Sequence, residues 1–244
     1  MLSGILADAV KSKRLSANPA RGVENLPRKT GKRHVYLSAD DVYHLADESG
    51  LYRALVLVLA YTSIRWGEAV ALRVRDVEFL RRRILVSENA VQLGVKHAVG
   101  PTKGRKARSV PVPTFVLTEL SVQCQGKAPG ELVFTAGDGE YLPRPKSSAG
   151  WFATAVVKAK VQKITPHDLR HTCASLAVPA GVNVLALQRM LGHTSAKVTL
   201  DTYADLFDDD LDAVAVTLDS RYSPESVAKM WPRGARDGSQ QTPK

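Results

Sequence analysis

Tyr203 lies ten residues beyond His193 in the run "LGHTSAKVTLDTY", and upstream "HDLRH" carries His167 and Arg170. Arg65 stands further back, in "SIRWGE". A tyrosine, two arginines and histidines are the parts needed to break a phosphodiester covalently without a metal ion. The phenol oxygen attacks phosphorus, guanidinium groups neutralise the charge growing on the equatorial oxygens, and imidazoles move protons. Each piece is common by itself. A His and an Arg three residues apart occur on many polar helix faces, and a Tyr flanked by Val198 and Leu200 is more often half-buried core than nucleophile. The weight lies in their joint occurrence.

Such residues need elements to hold them. The spacing predicts a helix around 167–177, with residues 167, 170 and 171 on one face and Leu169, Cys173 and Leu176 on the other. "NVLALQRMLGHTS" predicts a helix opened by Asn183 and closed by Gly192, a natural left-handed stop that displays His193 just beyond the helix end. Tyr203 falls on the next short helix. His167 and His171 are also four apart, as in zinc-binding helices, but "HDLRH" has Arg where a metalloprotease helix needs its Glu base. A cation beside a divalent ion is unfavourable, so no metal and no cofactor are expected.

With 244 residues, 44% of them apolar, the chain is long enough to fill a sizeable core. A formal charge of +10 implies a polyanionic partner, because clustered Lys and Arg release counterions from nucleic acid. Residues 1–125 hold 20 Lys+Arg against 11 Asp+Glu (+9), whereas residues 126–244 hold 14 against 13 (+1). The phosphate-facing surface is therefore expected mainly from the first half, with Arg81, Arg82, Arg83, Arg105 and Arg108 tracking a DNA backbone. Cys124 and Cys173, the two cysteines, are too few for a disulfide framework or a C-x-x-C site. No stretch resembles a signal peptide, and "ALVLVLAY" is too short to span a bilayer, so a soluble intracellular protein is expected.

Along the chain, Leu2, Ile5, Leu6, Ala9 and Val10 are spaced as an amphipathic helix, followed by a Pro-, Gly- and Arg-containing linker. The expected organisation is a remnant of a preceding domain's last helix plus linker over 1–34, a main domain over 35–222, and a disordered tail over 223–244. Ser38 with Asp41 reads as a capping box, and "LYRALVLVLAYTS" as a buried helix. β-Branched runs between residues 76 and 113 predict one small antiparallel sheet, and helices return from residue 114. The fold class is thus α+β, mostly helical. Acidic residues gather after Lys197, where an apolar stripe in "DLDAVAVTLDSRY" suggests a tail helix that docks on a neighbouring subunit or folds back in cis.

Taken together, these motifs resemble the tyrosine recombinases, the phage integrase family, from about residue 35 to 210. "YTSIRWGEAVALRVRDV" is similar to the family's first arginine motif, with Arg65 catalytic and Glu68 a supporting carboxylate. "PTKGRKARSVPVP" is similar to its β-hairpin, whose mobile lysine maps to Lys103, with Lys106 and Lys96 as alternatives. "HDLRHTCAS" matches the His-x-x-Arg box at His167 and Arg170, "LGHTS" supplies His193, and "VTLDTYADL" supplies Tyr203. The resemblance implies a tyrosine recombinase catalytic domain from a truncated integrase. It further implies metal- and ATP-independent cleavage and rejoining of double-stranded DNA through a 3′-phosphotyrosine. His167 would act as base, Lys103 as acid to the 5′-oxygen, and His193 as a hydrogen-bond donor to a non-bridging oxygen. It also implies a homotetramer on DNA, a monomeric isolated fragment, an accessory DNA-bending protein, no membrane, and work in the cytoplasm of a bacterial host. Two alternatives remain at this point: a type IB topoisomerase-like DNA-relaxing enzyme, and a non-catalytic DNA-binding relative.

Overall fold

The computed structural model describes residues 2–22, 34–102, 106–137, 139–146, 148–203, 206 and 210–223, the last with backbone alone over 210–215. The chain divides into two compact units, Met1–Arg33 and His34–Lys244. In the first, helix α1 (Leu2–Lys11) buries none of its residues. Asn18 Nδ2 donates to the Ser3 carbonyl at 2.9 Å, tying the following turn to the helix start.

The second unit opens with α2 (Ala39–Glu48), where Ser38 and Asp41 cap each other reciprocally: Asp41 N–H donates to Ser38 Oγ (3.1 Å) and Ser38 N–H to Asp41 Oδ2 (3.2 Å). Helix α3 (Arg53–Thr62) is buried from Ala54 through Ala60. A helix apolar on every side must be surrounded, and α3 packs against α2, α5 (Thr114–Cys124) and α7 (Pro166–Ala177). It stops at Ser63, whose φ of 55° is left-handed, and the chain re-enters the short α4 (Trp66–Val70) through Arg65.

The strands are β1 (Val77–Glu78), β2 (Arg83–Val86), β3 (Glu88–Leu93), β4 (Lys96–Pro101) and β5 (Arg108–Pro111). They form two antiparallel sheets instead of one: β1-β2-β5 and the hairpin β3-β4. The reason lies in register. Val86 pairs with Arg108 and Glu88 with Pro101, so one residue of sequence separates the two ladders on one arm and six on the other, and a single ladder cannot continue. The Thr102 N–H to Ser87 carbonyl bond, 3.3 Å, bridges the break.

Helix α6 (Trp151–Lys158) joins the same core through Phe152, Ala155 and Val156. Beyond α7 come α8 (Val184–Leu191), α9 (Ala196–Tyr203) and α10 (Asp210–Tyr222), on which Val216, Leu218 and Tyr222 are exposed. A second, smaller apolar cluster gathers Ala174, Val178, Leu187, Leu191 and Tyr203 from α7, α8 and α9. No helix among the described residues is long and apolar enough to cross a membrane.

Candidate active site

Arg65 is the N-cap of α4, in extended backbone. Its own N–H donates to Glu68 Oε2 (2.8 Å) and its Nη1 to Glu68 Oε1 (2.9 Å), so one carboxylate three residues on fixes both ends of the arginine. Glu68 is 2% exposed and also receives Arg108 Nη1 (3.0 Å) and Nη2 (2.6 Å). Burial opposes its ionisation, yet the hydrogen bonds and charge of Arg108, with those of Arg65, hold its carboxyl below the usual carboxylate range. Arg108, expected from sequence to track DNA, points inward instead.

Arg170 is carried by α7, whose start is fixed by Pro166 at its first position and by Asp168 Oδ2 accepting from Thr165 N–H and Oγ1, both at 2.7 Å. Arg170 is 3% exposed, and its guanidinium donates to the Ser63 carbonyl and, at 2.5 Å, to the Leu191 carbonyl. Burial, followed by the charge of Arg65, pulls its pKa down to about 10. Among the described residues, the charged groups acting on it are Arg65, Glu68 and Arg108. Three guanidinium groups counting its own, against one carboxylate, leave a surplus of two positive charges, which suits an anion whose charge grows during reaction.

His193 follows a Schellman turn: Gly192 sits at φ 63°, its N–H donates to the Arg189 carbonyl (3.2 Å), and His193 N–H donates to the Gln188 carbonyl (3.1 Å). The two remaining carbonyls at this helix end, Met190 and Leu191, are taken by Arg108 Nε (3.2 Å) and Arg170. The His193 ring bonds Thr199 Oγ1 through Nδ1 at 2.9 Å. Burial and the charges of Arg170, Arg65 and Arg108 depress its pKa to about 4, which places the imidazole in the field of all three arginines. A Cβ at Gly192 would lie 3.1–3.3 Å from the Arg108 side chain in a left-handed conformation. Gly192→Ala is therefore expected to cost about 1–2 kcal/mol, read by urea denaturation.

Tyr203 is 1% exposed, its ring in the small cluster and its Oη 2.9 Å from His171 Nδ1. Burial pushes its pKa up to about 12, against the pull of Arg170. His171, 8% exposed, also meets the rings of His34 (4.0 Å between centroids) and His167 (5.0 Å). Burial, then His34, lowers its pKa to about 4. Sequence reasoning considered His171 only as a metal ligand and passed over His34. The four-residue step from His167 was the available signal for the first, and nothing marked the second.

His167 is exposed and lines a cleft of about 330 Å3 together with Arg65, Asn89, Gln92, His97 and Arg144. The surrounding protein, then the charge of Arg170, lowers its pKa as well. Among the described residues, the imidazole bonded to the phenol is that of His171, not that of His167, the base expected from sequence. Lys103 and Arg105 lie outside the described residues; Thr102 Oγ1 donates to the Lys106 carbonyl at 2.7 Å across them. Arg81 is exposed beside Glu78, in keeping with a solvated or phosphate-facing turn. The structure thus brings Arg65, Arg170, His193 and Tyr203 to one region, with His167 at its open side.

The family model described as "Phage integrase family" matches residues 36–209. The integrase of Mycobacterium phage D29 is 30% identical over 214 residues, covering 82% of this chain and 55% of that protein. A tyrosine recombinase of Thermosipho africanus is 29% identical over 188 residues, covering 75% of this chain and 61% of its own. The chain thus spans less than two thirds of the length of these relatives. Among solved structures, the Tn1549 transposon integrase in complex with a circular intermediate DNA superposes with a TM-score of 0.68 at 20% identity, over 82% of this chain and 71% of that one. XerA recombinase superposes with a TM-score of 0.56 at 25% identity, over 76% and 65%. A family match over most of the chain, together with a shared fold, places it: this chain belongs to the phage integrase family, as a tyrosine recombinase catalytic domain.

Proposed function

We propose that this chain is the catalytic part of a site-specific DNA recombinase that cuts and rejoins strands through a 3′-phosphotyrosine at Tyr203. The observation that carries the reading is the convergence of Arg65, Arg170 and His193 on one site with surplus positive charge, next to a tyrosine on α9. The arginines hold the two non-bridging oxygens with planar forks that Lys cannot offer. Tyr203 Oη forms the bond to phosphorus as the bond to the 5′-oxygen breaks. Its proton passes to a neutral imidazole: His171 holds the phenol in the buried arrangement, and His167 stands at the cleft where DNA arrives. Lys103 protonates the leaving 5′-oxygen, and His193 adds a hydrogen bond to a non-bridging oxygen. The ester conserves the phosphodiester energy, so rejoining needs neither ATP nor metal. Since Tyr203 is 1% exposed, α9 must shift before its phenol can reach a phosphate.

The partner is double-stranded DNA at attachment sites, on which the full-length enzyme works as a tetramer with an accessory bending protein, in the cytoplasm of a bacterial host. The test is covalent capture from a pool of nicked duplexes with randomised sequence, resolved on a denaturing gel. A protein–DNA adduct from a restricted set of sequences supports a recombinase. Relaxation of plasmids regardless of sequence points to the topoisomerase alternative, and no adduct under any condition refutes cleavage.

The histidine cluster also sets a pH dependence. Unfolded histidines take up protons near pH 6.5, whereas His171 and His193 do so near 4 in the fold. Between these values the unfolded chain binds more protons, so stability is fully present above about pH 6.5 and falls as pH drops toward about 4. Thermal melts across this range are expected to show that decline, with a shallower slope in His171→Gln.

A further inference from the structure

Arg108 is conspicuous because its sequence context is that of a DNA-facing basic hairpin while its side chain is only 14% exposed. Each of its three guanidinium nitrogens donates to a protein acceptor: Nη1 and Nη2 to the two oxygens of Glu68, and Nε to the Met190 carbonyl. Three of its five N–H groups are thereby committed inside the protein, and one on each Nη remains. The fork therefore joins three parts of the site that are distant in sequence. Glu68 is the group that holds both the backbone and the side chain of Arg65. Met190 belongs to the helix end whose glycine turn displays His193, and the absence of a Cβ at Gly192 leaves room for the Arg108 side chain. β5 itself sits where the chain emerges from the segment containing Lys103.

We propose that Arg108 is a positioning residue for strand cleavage: through Glu68 it fixes the guanidinium of Arg65, and through Met190 it fixes the turn that presents His193. This rests on the reading of the site as one that cleaves phosphodiesters. A lysine at this position keeps the charge but offers a single nitrogen, which cannot span Glu68 and Met190 together.

The test uses the full chain and the duplex that wild type captures. Arg108→Lys is expected to bind that duplex with wild-type affinity and to form the adduct about 10²-fold more slowly, as a small misplacement of catalytic groups does. Arg65 acts on the charge of a non-bridging oxygen, so a methylphosphonate at the cleaved position, which lacks that charge, removes much of the need for it. The deficit of Arg108→Lys is expected to shrink on the methylphosphonate, whereas a general folding defect slows both substrates alike. In the DNA-free protein, the imidazole nitrogen resonances of His193 are expected to shift in Arg108→Lys and to stay in place in Arg75→Lys, an exposed-arginine control. Equal deficits on both substrates, or unmoved His193 resonances, overturn the proposal. Should Arg108→Lys fail to fold, Arg108→Gln, which leaves Glu68 paired with Arg65, carries the same comparison. If wild type captures no DNA, the cleavage reading fails separately, and the His193 resonances still decide whether Arg108 holds the turn.

Discussion

Tyr203→Phe is expected to abolish the covalent protein–DNA adduct while leaving the fold and DNA binding close to wild type. The substitution removes one oxygen. The ring stays, so the packing among Ala174, Val178, Leu187 and Leu191 is kept. What is lost is the bond from the phenol to His171, worth about 0.5–1.5 kcal/mol net. Against that small cost stands complete loss of the nucleophile, since phenylalanine carries no atom able to form the ester. With its pKa near 12, the phenol of wild type is ionised in only about one molecule in 10⁵ at pH 7, so attack needs a base as well as an oxygen. His171 is held neutral by burial and His167 has its pKa lowered too, which leaves both able to accept that proton near neutrality. Denaturing gels of the two proteins on captured duplex decide the matter. An adduct of equal intensity with both proteins would falsify the assignment of Tyr203.

The second large effect is expected at Arg170, where structure and chemistry coincide. Arg170→Ala leaves the buried carbonyls of Ser63 and Leu191 without their donor. Each orphaned acceptor costs about 1–3 kcal/mol, so urea denaturation is expected to register a loss of about 2–6 kcal/mol. Adduct formation should fall by at least about 10²–10³-fold, the usual consequence of removing one preorganised donor from a developing charge. Arg170→Lys is the informative companion, because one ammonium restores at most one of the two carbonyl bonds and cannot fork onto two phosphate oxygens. It is expected to recover part of the stability and little of the rate. Wild-type melting together with wild-type cleavage in Arg170→Ala would remove the residue from both roles.

Much of this site was readable in the chain itself. The capping pair Ser38–Asp41 acts over three residues, and the stop at Gly192 acts within one turn. Helical spacing placed Arg170 and His171 on α7 and put Tyr203 on α9. Local hydrogen-bond geometry and side-chain periodicity settle such features, so sequence suffices for them.

What the sequence left undetermined is carried by contacts between residues far apart in it. His171 meets Tyr203 across 32 residues, Arg108 meets Glu68 across 40, and Arg108 meets Met190 across 82. "PTKGRKARSVPVP" reads as a row of basic residues for DNA, and only the pairing of β5 with β2 and its packing on α8 turn Arg108 inward to Glu68. In the same way, the residue types of "VTLDTY" offer a candidate nucleophile, but the closure of α9 over α7 and α8 decides that its phenol is buried against His171. The chain alone determined which groups are available, because local propensity and residue chemistry are properties of short segments. Which of them meet, and which are withheld from solvent, was decided by the packing of helices against one another.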